Sequence, residues 1–169
     1  MKEHHTFLVP TSYPLFWFME HKSELHLPSW VTEKAVIIIP AAKKNMANAF
    51  RNGVRVALGT DAGVYPHGQN GGEFWSMVEL GMSPVQALQA GTVNAAELMG
   101  WSDRVGAIRQ GMLADIVAVK GNPVSDVRLL QHIQFVMKDG VIYKDEISGS
   151  GSSAAASAET KVGETSAGR

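Results

Sequence analysis

Apolar positions recur along this chain at two spacings, and the change from one to the other divides it. Across residues 30–52, Val31, Ala35, Ile38, Ala42, Met46, Ala49 and Phe50 return every three or four residues, the period of a helix with one buried face. Pro40 stands inside that run; it lacks a backbone donor and crowds the preceding turn, so a kink or split is expected there. Gly53 stops the helix, and Val54-Arg55-Val56-Ala57-Leu58 follows at once as a short buried strand. Helix, one-residue turn and strand make an αβ unit. Upstream, residues 6–9 read as another short strand, closed by Pro10 and followed by a loop over residues 11–14. The stretch Leu15-Phe16-Trp17-Phe18-Met19 is too aromatic for water and packs as a helix or lid, with ordinary core filling as the plainer alternative.

A glycine-rich loop (63–72) leads into a helix over residues 73–80, with Phe74, Met77 and Val78 on one face and Gly81 as its stop. Ser83-Pro84-Val85-Gln86 is a capping-box start with proline at the first helical position. Thr92 is expected to cap a further short helix over residues 93–99. From Gly106 the period shortens. Residues 115–119 read as a strand, Asn122-Pro123 as a turn and residues 127–130 as a short helical or irregular step. Residues 133–137, Asp139-Gly140 and residues 141–143 make a hairpin signature. These strands are too few for a sheet that stands alone. The serine-, glycine- and alanine-rich residues from about 148 onward are expected to be disordered.

Composition excludes more than it suggests. Lys and Arg number 15 against 16 Asp and Glu, a net charge of −1 with no basic block, so neither nucleic acid nor an anionic membrane surface is indicated as a partner. No apolar run approaches the roughly 20 residues of a membrane helix, and no secretory-type apolar stretch follows the charged start. The chain has no cysteine, hence no disulfide, thiolate ligand or thiol nucleophile. That suits cytoplasm and periplasm alike.

The candidate chemistry centres on Asp61, where the strand ends in Gly59-Thr60-Asp61-Ala62-Gly63. In a parallel α/β barrel, carboxylates at the C-terminal ends of strands are where catalytic groups sit, and flanking small residues admit a close approach of backbone or ligand. For an isolated Gly-Thr-Asp, a turn or helix-capping role is the ordinary alternative. His67 and Asn70, in the following loop, are candidates for substrate contact, with a purely structural loop role for His67 as the alternative. His4 and His5 are adjacent and do not face one another on a regular element; His21, His26 and His132 have no partner at metal-ligand spacing.

Three segments together resemble the C-terminal part of the amidohydrolase superfamily, in its imidazolonepropionase-like and prolidase-like branch. Thr6-Phe7-Leu8-Val9-Pro10-Thr11 is similar to the seventh barrel strand. Gly59-Thr60-Asp61-Ala62-Gly63 with Pro66-His67-Gly68 is similar to the eighth strand and its loop. Residues 90–100, with Val105-Gly106, Gly111 and Ala114-Asp115-Ile116-Val117-Ala118-Val119, are similar to the join into the small β-domain. The resemblance implies an α/β fold: about the last two strands of a (β/α)8 TIM-like barrel (residues 1–104), part of a small β-sandwich domain (105–146), and a tail (147–169). It implies hydrolysis of amide or peptide C–N bonds, with dipeptides such as Xaa-Pro among the substrates, and a cofactor of one or two divalent metal ions, zinc by preference. Asp61 would touch the metal and take the proton from metal-bound water, passing it to the leaving group.

The departures weigh as much. The family's His-x-His pair, bridging lysine or glutamate and later histidines have no counterpart here, and a catalytic zinc takes about three protein ligands where this chain offers one. Gly71-Gly72 stand where an arginine often occurs in that branch. Met1 falls where the family carries an internal helix and reads as an internal methionine of a longer frame or the product of a truncated gene. The expectation is a hydrolase fragment, inactive alone, whose partner is the missing N-terminal barrel half. The alternatives are a non-catalytic half-barrel docked on a complementary chain, a non-functional remnant, and a small independent α/β module.

Overall fold

The computed structural model describes residues 1–148; most of the tail (149–169) lies outside the described residues. Five α-helices lead into three strands: α1 (Tyr13–His21), α2 (Ser29–Arg51), α3 (Gly72–Glu79), α4 (Pro84–Ala90), α5 (Val93–Leu98), then β1 (Ile116–Ala118), β2 (Phe135–Lys138) and β3 (Val141–Asp145).

The periodic stretch forms α2 as expected, but Pro40 does not split it. Proline deprives the carbonyl four residues earlier of its partner. That residue is Val36, which is exposed together with Pro40, so solvent can hydrate the freed carbonyl and the helix runs on. Its end is sharp. Gly53 takes φ +67°, its N–H donates to Phe50 (3.0 Å), and the N–H of Val54 donates to Ala49 (3.1 Å), a Schellman closure that turns the chain directly into the Val56 segment.

The two expected barrel strands meet at a single parallel bridge, Leu8 to Val56, rather than as full strands. The Leu8 N–H donates to the Arg55 carbonyl (2.8 Å) and the Ala57 N–H to the Leu8 carbonyl (3.0 Å). Backbone groups of a strand alternate between its two edges, so Val56 and Leu58 present theirs on the side away from Leu8. That side is occupied: the Asn94 side chain of α5 donates to the Val56 carbonyl (2.9 Å), and the Leu58 N–H donates to the Ala90 carbonyl at the end of α4 (2.9 Å). With one ladder partner and a side chain in place of the other, the segments stay short of a sheet. The edge of the Val56 segment away from Leu8 is thereby satisfied from within the chain.

The core gathers Phe50, Val56, Met77, Leu80, Ala87 and Ala90, with Leu8, Phe16, Leu58 and Phe74 packed around it. It leaves much apolar surface uncovered, including Trp30 (65% exposed) and Ile37 (75%) on α2 and Ile108 (84%) before the sheet. Faces of this kind are what a partner surface covers.

α4 carries the full capping box: Ser83 Oγ accepts from the Gln86 N–H (3.2 Å), and Gln86 Oε1 accepts from the Ser83 N–H (2.8 Å). Ser83→Ala should cost about 1 kcal/mol, read as a lowered midpoint in chemical denaturation with an unchanged slope. Thr92 behaves differently from expectation. It precedes α5, but its hydroxyl donates back to the Leu88 carbonyl (2.7 Å) and makes no cap. The preceding helix lies one short turn away, and its orphan carbonyl wins the hydroxyl.

The sheet is antiparallel in the order β1-β2-β3, with a register irregularity at Val136/Met137. Asp139 (φ +50°) and Gly140 (φ +78°) form the expected hairpin turn. Asp115 pins it by accepting from the Asp139 N–H (2.9 Å) and Lys138 Nζ (3.1 Å). Residues Val127–Gln131 form the short helical step, a 3-10 turn packed against α3. Lys2–His4 form another, with His5 at its end in the left-handed region.

Candidate active site

Because Leu8 and Val56 run parallel, the loops after both open at the same end of the molecule. There Gly59 lies so close to the first segment that a Cβ would run into Val9 Cγ1 and lie 3.5 Å from Thr11 Cγ2. Two residues of this mouth take the left-handed backbone, Asp61 at φ +49° and Thr11 at φ +41°. Aspartate tolerates that region; a β-branched threonine does not do so readily, and strain of this kind persists only where surroundings enforce it. The Asp61 carboxylate is exposed, and among the described residues it has no hydrogen-bond or ion-pair partner. It is a free carboxylate at the carboxyl end of a strand-like segment.

Beside the Thr11 turn lies a carboxylate that the sequence pattern passed over. Glu73, in the first turn of α3, is fully buried. One carboxylate oxygen accepts from the Tyr13 N–H (2.9 Å); the other accepts from the Ser12 N–H (2.9 Å) and Ser12 Oγ (3.1 Å). Ser76 Oγ stands 3.5 Å from that second oxygen and 2.6 Å from Ser12 Oγ. Ser12 is the N-cap of α1 and makes no cap with its own side chain; the carboxylate from α3 takes the orphan amides instead. Burial pushes the Glu73 carboxyl up to about 7, against the pull of the donors from Tyr13, Ser12 and Ser76, which favour the ionised form. Glu73 stands four residues before Met77, so its position on the buried face of the helix was the available signal.

Aromatic pairs pack among the same elements. Tyr13 meets Tyr65 edge-on with centroids 4.8 Å apart, and Trp75 packs edge-on against Phe16 at 5.0 Å. Tyr65 is buried, and among the described residues neither its hydroxyl nor Trp75 Nε1 has a hydrogen-bond partner. Burial first, and the charge of Glu73 next, push the Tyr65 phenol up, so it stays neutral.

Asn70 lines a cavity of about 670 Å³ with Gln131, His132, Lys144 and Glu146, to which neither Asp61 nor His67 belongs. His67 is exposed. The structure therefore places all three predicted residues on one loop without bringing Asn70 and Asp61 to a common cavity. A larger hollow of about 840 Å³, beyond the C-terminal end of α1, is lined by residues such as His26, Leu27 and Ile37 and lies apart from the mouth. The Gly71-Gly72 pair has a packing reason: a Cβ at Gly71 would overlap the Leu130 carbonyl, and one at Gly72 would meet the Tyr13 ring at 2.7 Å. Gly72→Ala should cost about 1–3 kcal/mol, measured by thermal unfolding, by displacing Tyr13.

Among the described residues, no three His, Cys, Asp or Glu side chains cluster as a metal would require. A catalytic zinc takes about three protein ligands, and the described residues do not bring such a set together.

The profile described as Amidohydrolase family matches residues 1–150. The chain belongs to the amidohydrolase family. This amidohydrolase chain is 32% identical over 150 residues to ochratoxinase of Aspergillus niger, covering 85% of itself and 30% of that protein. It is 38% identical over 76 residues to imidazolonepropionase of Haloarcula marismortui, covering 43% of itself and 18% of that protein. Among solved structures it is similar to a Xaa-Pro dipeptidase with methionine bound in the active site, at TM-score 0.78 and 41% identity, over 85% of this chain and 36% of the other. The amidohydrolase chain thus spans about a third of the length of the ochratoxinase and of the Xaa-Pro dipeptidase, and less than a fifth of the imidazolonepropionase.

Proposed function

We propose that this chain is the Asp61-bearing portion of a hydrolase that cleaves amide or peptide C–N bonds in small substrates, dipeptides such as Xaa-Pro among them, and that it is inactive alone. On this reading residues 1–104 contribute the last part of a TIM-like barrel and residues 105–146 part of a small β-domain. One observation supports it most. Asp61 is a carboxylate without a partner among the described residues, at the carboxyl end of a segment bridged in parallel to its neighbour, where barrel enzymes keep their catalytic groups. Its role is to accept the proton of the attacking water and deliver it to the departing nitrogen. His67 and Asn70 on the same loop are the candidates for substrate contact. A divalent metal, zinc by preference, would have Asp61 as one ligand and need the remaining ligands from another polypeptide, since no three metal-ligating side chains cluster among the described residues.

The uncovered apolar surfaces around Trp30, Ile37 and Ile108 support docking on such a polypeptide. The test is complementation. The chain is assayed alone and mixed with the part of the Xaa-Pro dipeptidase it does not cover, for bound zinc and for release of the C-terminal residue from dipeptides. The chain alone is expected to show neither zinc in stoichiometric amount nor hydrolysis, and the mixture to show both. Hydrolysis by the chain alone would overturn the reading, as would a folded mixed complex that cleaves none of the dipeptides.

A further inference from the structure

Fully buried carboxylates are uncommon, and one that spans two elements on either side of a candidate catalytic loop invites a functional reading. Glu73 belongs to the helix that follows the Asp61 loop, and its partners belong to the turn that follows the Leu8 segment. These are the two rims of the same mouth. Between them lie the strained Thr11, held at φ +41°, and Gly59, whose missing side chain lets Val9 and Thr11 press against the backbone just before Asp61.

We propose that Glu73 is a positioning residue for Asp61: by gripping the amides of Ser12 and Tyr13 it keeps the Thr11 turn seated against Gly59 and so fixes the rim on which Asp61 stands. This deepens the reading of Asp61 as the proton-handling carboxylate and rests on it for its catalytic meaning; the seating itself is independent of turnover. The two segments are joined to one another by a single backbone bridge, and the turn after the first is tied across to the second rim by the Glu73 carboxylate. The tie is charge-sensitive. An ionised carboxylate offers full acceptor capacity to both amides, whereas a protonated or amide group keeps one strong acceptor and must place a donor on the other side.

The groups facing Glu73 are few. From α1 comes Tyr13, itself influenced by Glu20; from the Asp61 loop comes Tyr65; both phenols are raised and remain neutral. The Val127–Gln131 turn contributes Arg128, which reaches Glu79 at 3.6 Å, and α4 carries no ionisable side chain. Titration of the tie near neutrality therefore reports Glu73 itself.

The experiment is a pH series of amide NMR spectra on the full chain, before and after Glu73→Gln. In the unaltered chain the amide resonances of Ser12, Tyr13, Thr11 and Asp61 are expected to move together with one midpoint near 7, and that shared midpoint should vanish in Glu73→Gln. If Ser12 and Tyr13 titrate while Thr11 and Asp61 stay still, Glu73 is a local cap only and the proposal is overturned. A midpoint that survives Glu73→Gln belongs to another group and overturns it equally. Because the first measurement needs no variant, a Glu73→Gln chain that fails to fold leaves the co-movement of Asp61 as the deciding result. None of these readouts depends on hydrolysis, so a failed complementation assay and a failed tie are told apart.

Discussion

Asp61→Asn is expected to lower kcat of the complemented hydrolase by roughly 10²–10⁴-fold while leaving the fold within about 0.5 kcal/mol of the original. Both halves of that expectation come from the geometry. Asparagine is as tolerant as aspartate of the left-handed backbone at φ +49°, so the turn is not disturbed. The carboxylate is exposed and has no partner among the described residues, so its loss orphans nothing. What disappears is a base of suitable charge at the end of the Val56 segment. Chemical denaturation of the variant and steady-state kinetics on a dipeptide measure the two quantities separately. A loss confined to kcat, with KM little changed, identifies a group that acts in the transition state rather than in binding. Hydrolysis at the original rate would remove Asp61 from the reaction and with it the function proposed for the chain.

The sequence was most informative where one local rule decides the outcome. The three-to-four-residue spacing of Val31 to Phe50 marked α2 nearly to the residue, because a long amphipathic stripe has no competing arrangement. Gly53, Ser83 with Gln86, and Asp139-Gly140 each fill a position that backbone geometry reserves for few residue types. It was least informative where two elements compete for one group. Thr92 had a hydroxyl that could cap α5 or bond Leu88, and only the three-dimensional path of the chain decides. Pro40 forbids one hydrogen bond, but whether that breaks a helix depends on whether water reaches Val36, a tertiary fact. The extent of the segments around Leu8 and Val56 depends on neighbours that Asn94 and Ala90 replace across more than thirty residues of sequence. Of the candidate site, Asp61 was legible because a strand end and a carboxylate coincide. Glu73 was not, since a carboxylate in the first turn of a helix ordinarily answers the helix dipole in water; its real partners, Ser12 and Tyr13, lie about sixty residues away.

Glu73→Ala should destabilise the chain by about 3 kcal/mol or more, a larger cost than most substitutions of a polar residue bring. The alanine would leave the Ser12 and Tyr13 amides without an acceptor, each worth about 1–3 kcal/mol in lost solvation, would strip the Ser12 hydroxyl of one of its two partners, and would open a void where the buried Glu73 side chain stood. Glu73→Gln keeps the volume and one acceptor and should cost less. The pH dependence separates charge from volume, and its sign follows from the direction of the shift. The carboxyl titrates near 4.5 when exposed and at about 7 in the fold, because burial outweighs the donors around it. Between those values the folded chain holds the extra proton. The contribution of this group to stability is therefore complete below about 4.5 and is lost as pH rises through about 7, with a slope approaching about 1.4 kcal/mol per pH unit between. Most buried donor-rich carboxylates show the reverse, stabilising as pH rises, so the slope discriminates between burial and hydrogen bonding as the dominant influence on Glu73. Denaturation midpoints compared at about pH 5.5 and 7.5 should fall with rising pH in the unaltered chain by more than in Glu73→Gln. Equal slopes in the two chains would mean that the donors of Ser12 and Tyr13 keep Glu73 ionised throughout.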